Sequence, residues 1–515
     1  MKQIISTIIS LASCLPAVAQ DVVKLLEPVY ADSADVYRQS VYVPQKWDKR
    51  RVVLSIERPL GATTVSVNGN VAGGDSAVAA PHELDVTRYI VAGQRNTVEI
   101  KVAGGYSRSI LGGVELRSQP RNLYINNVRL HPKPYSSEVG IEIDLRGQSP
   151  DFSFYGMQIM VQQENKDSAN IYVGNQDIWG NHMGFDFRIP EHDRFWDEFH
   201  PNYYRMAISA GDDYVETTFG MREAGVVDGQ LFLNRRPIYL RGALIDDYFP
   251  EWGHMPTDVA TWERIFRRFE SFGLNYVRFN GFCPTDAAFS AADKVGMYLQ
   301  TEAKSQYEMG RIADAFGHHP SLVLLSMGDS TYVWNDGHIV PVRLNASVIY
   351  GSDMMQYKQG VEQCLLGDGS AHFLLGGFCD RKGDYSGVLH ARYSDETAGT
   401  STKDFINFCR PIIPLAKIDK AVYNYSDTLR VPVVVYNAMY GHLNGVRTSY
   451  YLHTDSGQVV AGGLIASGEI PLAPRNTVGE IVFPIDSAKN TSKLNLTLVV
   501  GTNAVRNHWE IEVAH

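Results

Sequence analysis

The chain has 515 residues and a formal net charge of −10, with charged residues at 20% and aromatic residues at 11%. This is the composition of an ordinary globular protein, and the length predicts several domains, each with its own core. A chain this acidic, with no basic stripe in its sequence, is not expected to bind nucleic acid or an anionic membrane surface.

The N-terminus is typical of an export signal. Lys2 precedes an apolar run that is too short to span a bilayer. Residues 17–19, Ala-Val-Ala, form a small-x-small cleavage site, so that residues 1–19 would be a signal peptide. Residues 11–14 also resemble a bacterial lipoprotein box, with Cys14 as the lipid-anchored residue. We therefore expect a periplasmic or secreted protein, with a lipid anchor as the alternative, and no later transmembrane span.

Four cysteines remain besides Cys14, and none of them forms a C-x-x-C pair. They are Cys283, Cys364, Cys379 and Cys409. Their spacing does not indicate a zinc site, and we expect neither a metal nor another cofactor. Buried free thiols and a disulfide both remain open, because sequence alone gives no pairing.

The first part of the chain has the texture of two β-domains. Short β-branched runs with partial alternation fill residues 41–102, which favours a sandwich or jelly roll. The dipeptide Asn68-Gly69 follows an alternating run and predicts a hairpin. Four further strand-like runs between residues 122 and 223 predict a second β-domain.

The pattern changes after residue 224, where apolar strands and helices alternate. A helix is predicted near residues 256–273, with Thr257 or Asp258 as its cap. Its apolar stripe consists of Trp262, Ile265, Phe266 and Phe269. Such alternation implies a parallel sheet with helical crossovers. After Pro414 the pattern is again all-β, which predicts a further sandwich.

This order of domains and several motifs resemble glycoside hydrolase family 2, which includes β-galactosidases, β-glucuronidases and β-mannosidases. The motifs are "VSVNGNVAGG", "APHELDVTRYI", "LFLNRRPIYLRGALIDDYFPEWG", "GLNYVRFNGFCP", "ADKVGMYLQTEA", "HHPSLVLLSMGD" and "FCRPIIPLAKIDKAVY". The resemblance implies a multidomain β plus α/β fold. Its expected parts are a sugar-binding-like jelly-roll β-sandwich (20–120), an Ig-like β-sandwich (121–223), a truncated TIM-type (β/α) barrel (224–416) and a C-terminal β-sandwich (417–515).

The sequence departs from the family where its acid/base carboxylate belongs. The family pattern at the end of the fourth barrel strand is like S-x-G-N-E. Here Asp329 stands at the Asn position and Ser330 at the Glu position. A serine hydroxyl does not donate a proton near neutral pH as a tuned carboxyl does. Asp329 is therefore either a displaced catalytic group or a residue with a structural or sugar-contacting role.

The family nucleophile is a Glu on the seventh barrel strand. Between Ser330 and His372 the sequence holds one Glu, Glu362, inside a predicted helix. A complete barrel takes about 250 residues, and residues 231–414 are too few for one. We expect the fifth to seventh strands, with the nucleophile, to be missing.

The resemblance also implies residues that line a sugar pocket. Asp246 and Asp247 stand where many members have a His, and Asn280 stands where the second strand often ends with one. Glu302 matches an acidic residue of the family pocket, with a salt bridge as the alternative role. Trp252 either stacks on a sugar ring or packs in the core.

Two principal functions follow from these residues. The first is an exported protein of carbohydrate metabolism with lost or much reduced hydrolase activity, which binds glycan or acts as an accessory protein. The second is an active exo-β-glycosidase that hydrolyses O-glycosidic bonds with a relocated carboxylate pair. The candidates for that pair are Asp246, Asp247, Glu302, Asp329 and Asp380.

An incomplete barrel exposes strand edges, so a protein partner or a homo-oligomer through those edges is also expected. A purely structural assembly protein is the third alternative.

Overall fold

The computed structural model describes residues 21–25, 36–104, 109–149, 151–164, 170–190, 195–335, 337–344, 346–369, 371–381, 383, 387–390, 393, 401–488, 491–501 and 505–514. The predicted export signal and Cys14 lie outside these residues. Within them, no helix has the length and apolar character needed to cross a membrane. Short 3₁₀ turns occur at Gln45–Trp47, Thr87–Tyr89 and Ile485–Ser487.

The N-terminal region is a sandwich of two four-stranded sheets, ordered β1-β8-β3-β6 and β2-β7-β4-β5. The strands are β1 (Asp21–Lys24), β2 (Val36–Tyr42), β3 (Arg51–Pro59), β4 (Thr63–Val67), β5 (Asn70–Asp75), β6 (His82–Asp85), β7 (Arg95–Val102) and β8 (Ile110–Gln119). Asn68 and Gly69 join β4 to β5, and both have positive φ, at 51° and 80°. The predicted hairpin is confirmed, because a two-residue turn of this kind needs both residues in that region.

A second sandwich follows, with sheets ordered β13-β10-β9 and β12-β11-β14-β15. Its strands are β9 (Tyr124–Lys133), β10 (Glu138–Arg146), β11 (Gly156–Gln163), β12 (Asn170–Asp177), β13 (His182–Arg188), β14 (Tyr203–Ala210) and β15 (Asp213–Gly220). Its core consists of the inward-facing apolar residues of both sheets. A small three-stranded sheet then leads onward, formed by β16 (Ala224–Val227), β17 (Gln230–Leu233) and β18 (Arg236–Pro237).

The central element is a curled eight-stranded sheet, ordered β24-β23-β22-β21-β20-β19-β26-β25. Its strands are β19 (Arg241–Asp246), β20 (Tyr276–Asn280), β21 (Tyr298–Glu302), β22 (Leu322–Met327), β23 (Ser330–Asn335), β24 (His338–Val342), β25 (Ala346–Tyr350) and β26 (His372–Gly376). Its helices are α1 (Val259–Ser271), α2 (Asp286–Val295), α3 (Gln306–Phe316) and α4 (Met354–Leu366), and the short α5 (Thr402–Phe405) follows β26. Six neighbouring strands are parallel, and β23 and β24 are antiparallel.

Helix α1 forms as its sequence pattern predicts. Asp258 is the cap, because its side chain accepts a hydrogen bond from the Thr261 N–H at 2.8 Å. The four residues of the predicted apolar stripe are all fully buried against the sheet. Gly273, with φ at 82°, follows the helix end and turns the chain toward β20.

The expectation that the fifth to seventh barrel strands are missing needs a correction for one strand. Strand β25 pairs in parallel with the last strand, β26, and α4 connects the two. It occupies the edge of the sheet beside the last strand, where the sequence predicted no strand. The sequence Ala-Ser-Val-Ile-Tyr of β25 contains no carboxylate. The strand is therefore present, but the nucleophile of the family is not on it.

The C-terminal region is a sandwich of a three-stranded sheet, β27-β29-β32, and a five-stranded sheet, β28-β34-β33-β30-β31. The strands are β27 (Ile412–Ala416), β28 (Val422–Asn424), β29 (Thr428–Asn437), β30 (Leu443–Thr454), β31 (Val459–Ile470), β32 (Ala473–Pro484), β33 (Lys493–Val500) and β34 (Val505–Ala514). This sandwich includes β27, which precedes the boundary expected at residue 417. The β-rich multidomain architecture predicted from sequence is confirmed.

Cys283, Cys379 and Cys409 are buried and Cys364 is partly buried, and all four are free thiols. Burial raises the pKa of the Cys283 thiol to about 11 and that of Cys409 to about 12. These thiols are protonated at neutral pH and behave as small apolar side chains.

Candidate functional site

Three of the predicted site residues lie at the same edge of the eight-stranded sheet. Asp246, Asn280 and Glu302 are the last residues of β19, β20 and β21. These three strands are parallel neighbours, so their carboxyl ends meet at one edge. Barrel enzymes and open α/β sheets place their ligands at this edge.

Hydrogen bonds connect these strand ends to one another. Asn280 Nδ2 donates to Asp246 Oδ1 at 2.7 Å. The N–H of Gly281, which has φ at 78°, donates to Glu302 Oε2 at 3.2 Å. The Arg278 guanidinium lies 3.7 Å from the same Glu302 oxygen. The salt bridge expected as the alternative role of Glu302 is therefore present, in a part of the site that is still partly exposed.

Residues that follow the last strand complete this edge. Arg381 Nη1 lies 3.9 Å from Asp246 Oδ2. Asp380 is buried and accepts hydrogen bonds from the Gly387 N–H at 3.2 Å and from His390 Nδ1 at 3.1 Å. The imidazole of His390 is half exposed. The site therefore carries an oriented imidazole beside a carboxylate and a guanidinium.

Asp247 faces a charge contributed by the first sandwich. Asp247 is exposed to solvent at the residue level, but protein atoms crowd its carboxylate and raise its pKa. The positive charges of Arg58 and Lys304 oppose this shift. Arg58 extends from β3, is buried, and donates from Nη2 to the Cys283 carbonyl. Its Nε and Nη1 atoms are buried without a hydrogen-bond partner.

The fourth strand ends differently from the family pattern. Met327 pairs with Ser330 in an antiparallel ladder, so Gly328 and Asp329 form a two-residue turn and the chain reverses into β23. Gly328 has φ at 57°, as the first central residue of such a turn requires. Asp329 and Ser330 are exposed. No contact among the described residues joins Asp329 to Asp246 or Glu302, and its role stays a prediction.

Glu362 has a structural environment. Its Oε1 accepts from Lys358 Nζ at 2.7 Å and from Asn507 Nδ2 at 2.8 Å. Its Oε2 accepts from Trp509 Nε1 at 2.8 Å. These bonds connect α4 to β34 of the C-terminal sandwich, so the one Glu between Ser330 and His372 joins two domains.

Trp252 is partly buried and packs against the core through Phe249, with ring centroids 6.5 Å apart. One face of the ring is therefore fixed by the core, and its partial exposure is compatible with sugar stacking.

Among the described residues, no three His, Cys, Asp or Glu side chains are grouped as metal ligands.

The pair His318-His319 lies away from this edge, before the amino end of β22. His319 Nδ1 is 2.6 Å from Asp293 Oδ2, and its Nε2 is 3.3 Å from Asp286 Oδ1. Although burial opposes it, these carboxylates raise the pKa of His319 to about 10. The buried imidazolium joins the end of α3 to α2 and has no part in the candidate site.

Sequence analysis missed several charged residues of the site. Arg278 lies two positions before Asn280 and so shares its face of the strand, a signal that was available in the sequence. Arg58 gave no such signal, since it is 225 residues from the carbonyl that it contacts. Arg381 and His390 follow the last strand in a segment without a periodic pattern.

Comparisons of the sequence identify relatives for different parts of the chain. A family model described as a domain of unknown function (DUF8488) matches residues 427–513, within the C-terminal sandwich. A curated putative beta-glucuronidase of Formosa agariphila is 22% identical over 347 residues, which cover 60% of this chain and 41% of that protein. The match thus spans less than half of that relative's length.

Solved structures share the fold across nearly the whole chain. The exo-chitosanase CsxA of Amycolatopsis orientalis superimposes with a TM-score of 0.67 at 12% identity, covering 93% of this chain and 76% of that one. A glycosyl hydrolase family 2 member from Bacteroides cellulosilyticus gives a TM-score of 0.59 at 13% identity, with coverages of 93% and 77%.

The fold and the strand-end site thus define a β-rich multidomain protein that shares its architecture with these solved structures. In sequence and fold together, the chain is a glycoside hydrolase family 2-like protein.

Proposed function

We propose that this protein binds a glycan at the carboxyl edge of its eight-stranded sheet and hydrolyses it slowly or not at all. The reversal of the chain at Gly328 and Asp329 carries the proposal. This tight turn replaces the strand end on which family members hold their acid/base Glu. Strand β25 has no carboxylate either. The sheet is then a shortened (β/α) barrel from which both catalytic carboxylates have been lost.

Asp246 and Glu302 are separated by one intervening strand, β20. A retaining glycosidase needs two carboxyl groups about 5–5.5 Å apart, and an inverting one needs about 6.5–9.5 Å. Neighbouring strands are about 4.8 Å apart, so the backbones of Asp246 and Glu302 are about 10 Å apart. The Asp246 carboxylate accepts from Asn280 and the Glu302 carboxylate from the Gly281 N–H. Each carboxylate also has a hydrogen-bond donor and a guanidinium nearby.

The same groups are well suited to hold a sugar. Carboxylates accept hydrogen bonds from sugar hydroxyl groups, the Asn280 amide both donates and accepts them, and the half-exposed His390 adds a further donor or acceptor. Trp252 supplies an aromatic face. Substrate binding then falls to Asp246, Asp247, Asn280, Glu302 and Trp252, with Asp329 at the rim of the site.

The wider biological role belongs to the same proposal. The N-terminal sequence supports export to the periplasm or the cell exterior, with a lipid anchor at Cys14 as the alternative. The exposed edge strands β24 and β25 support a role beside a partner protein or a second copy of the chain. An accessory protein of glycan degradation is consistent with each of these features.

Purified mature protein, incubated at high concentration with a panel of aryl α- and β-glycosides and screened against a glycan array, tests the proposal. Binding to a set of glycans without release of the aryl group is the expected result. Binding should weaken about tenfold in Glu302→Gln, because one charge-assisted hydrogen bond is worth about 1.5 kcal/mol or more. Failure to bind any glycan would contradict the proposal.

A second candidate, an exo-β-glycosidase with a relocated carboxylate pair, is favoured by one observation. The raised pKa of Asp247 makes it the carboxyl of this site best suited to donate a proton. Wild-type turnover with a basic limb in its pH profile, together with a much slower Asp247→Asn variant whose residual activity lacks that limb, would support this alternative.

A further inference from the structure

We propose that the cleft between the first and second sandwiches binds an anionic polysaccharide. The cleft has a volume of about 1070 Å³ and is lined by four arginines and one carboxylate. The arginines are Arg51, Arg88, Arg121 and Arg146, and the carboxylate is Asp85. This site is separate from the edge of the eight-stranded sheet, and it does not depend on the function proposed there.

Four of the cleft residues are direct neighbours. Arg51 donates from Nε to Asp85 Oδ2 at 2.9 Å, and its guanidinium lies 4.5 Å from the centre of the Tyr124 ring. Arg146 is the direct cross-strand partner of Tyr124 in the pairing of β9 with β10. The Tyr124 ring thus lies under the guanidinium of Arg51 from the first sandwich, and Arg146 of the second sandwich is its neighbour across the strand pair.

The walls of the cleft are held in place by backbone contacts. The Gln148 N–H donates to the Arg121 carbonyl at 2.8 Å, and Arg121 Nε donates to the Arg50 carbonyl at 3.1 Å. A Cβ at Gly147 would lie 1.9 Å from the Asn122 carbonyl oxygen, so the two chain segments touch through glycine backbone. The segment that joins the sandwiches is therefore fixed against the end of β10, and the arginines are presented in a preformed cleft.

Two of the arginines are available to a ligand. Arg88 lies on the 3₁₀ turn whose Thr87 N–H donates to Asp85 Oδ1 at 3.0 Å. Arg88 and Arg146 are exposed, and neither forms an ion pair with another residue that the structure describes. Asp85, by contrast, is engaged by Arg51. The cleft therefore has an excess of positive charge in a protein whose formal net charge is −10.

This combination of groups indicates the class of ligand. Guanidinium groups bind carboxylate and sulfate in a bidentate manner. Gln148 and Asn181 line the same cleft and offer amides to sugar hydroxyls, while Tyr124 and Phe152 offer aromatic faces. The volume exceeds the upper end, about 1,000 Å³, of the usual range for small-ligand pockets, which suits a polymer segment. A polysaccharide with sulfate or uronate groups meets all of these conditions, and a nucleic acid is disfavoured by the acidic remainder of the surface.

Affinity electrophoresis and titration calorimetry of the full chain test this site. The probes are dextran sulfate (sulfate only), polygalacturonate (carboxylate only), neutral dextran and a DNA duplex. Arg88→Ala/Arg146→Ala removes the two available guanidinium groups. Arg264→Ala/Arg447→Ala, at two exposed arginines on α1 and β30, is the matched control. Equal thermal unfolding midpoints of the two variants will show that both are folded.

We expect one or both acidic polysaccharides to bind at low salt and to bind more weakly at high salt. Their affinity should fall at least tenfold in Arg88→Ala/Arg146→Ala, the cleft variant, and should not change in the control variant. Binding of dextran sulfate alone will identify sulfate as the recognised group, and binding of polygalacturonate alone will identify carboxylate. The proposal is overturned if neither acidic polymer binds, or if the cleft variant binds them as tightly as the wild-type protein does. It is also overturned if neutral dextran binds equally well, or if the DNA duplex binds more tightly than the polysaccharides.

Discussion

Asn280 and Asp246 join the ends of two neighbouring parallel strands through a hydrogen bond of 2.7 Å between the side-chain amide and the carboxylate. One amide proton of Asn280 is used in this way, and the rest of its amide group remains for a ligand. The pair therefore fixes the orientation of both groups at the edge where the chain is proposed to bind sugar.

Asn280→Ala should weaken glycan binding about tenfold, because it removes a ligand contact and frees the Asp246 side chain to rotate. The thermal unfolding midpoint should change little, since Asn280 is exposed. Titration of the best glycan from the array measures the effect. Asn444→Ala, at an exposed residue of β30, is the control, and equal affinity in the two variants would speak against the assigned site.

Ser330→Glu should not create a glycosidase. The new carboxylate would stand at the start of the antiparallel strand β23, on an exposed hairpin, with no nucleophile on β25. Release of p-nitrophenol from aryl glycosides measures the outcome, and Asp329→Glu at the neighbouring turn residue is the control. Hydrolysis by Ser330→Glu alone would show that the family's catalytic frame survives in this chain.

The sequence was informative where a pattern is repeated along one element. The stripe from Trp262 to Phe269 and the dipeptide Asn68-Gly69 each predict a local structure that the chain adopts. Strand β25 was missed because it is five residues long and lies at a sheet edge. Its Val348 and Tyr350 are exposed, so burial gives it no alternating pattern.

The residues that complete the site depend on contacts between distant segments. Arg58 reaches the mouth of the sheet from the first sandwich, and its place follows from domain packing rather than from any local motif. The turn at Gly328 is visible in the sequence as a glycine, yet only the pairing of Met327 with Ser330 shows that the chain reverses there.

His319 should make the stability of the protein depend on pH in the alkaline range. Its pKa in the folded protein is raised from 6.5 to about 10 by Asp293 and Asp286, against the effect of burial. Its contribution is therefore fully present below pH 6.5 and is lost as the pH rises through about 10. Urea unfolding of the wild-type protein and of His319→Gln should give free energies of unfolding whose difference shrinks over this range. A difference that is constant with pH would contradict the charged state assigned to His319.

Glu362→Ala should destabilise the protein by about 3 kcal/mol, because it leaves a buried ammonium, a buried amide and a partly buried indole N–H without their shared acceptor. The lost partners are Lys358, Asn507 and Trp509. Glu362→Gln should cost less, since the amide oxygen still accepts one of these bonds. Chemical denaturation measures both variants, and Glu263→Ala on the exposed side of α1 is the control. Loss of stability no greater than in that control would contradict the role of Glu362 as a link between domains.

The measurement that tests the central claim most directly is saturation-transfer NMR of the mature protein with aryl glycosides, followed in the same tube for release of the aryl group. We predict saturation transfer to the sugar protons, reduced in Glu302→Gln and in Asn280→Ala, with no release over many hours. Steady release that Asp246→Asn or Glu302→Gln abolishes would contradict the account and would identify a working carboxylate in this site.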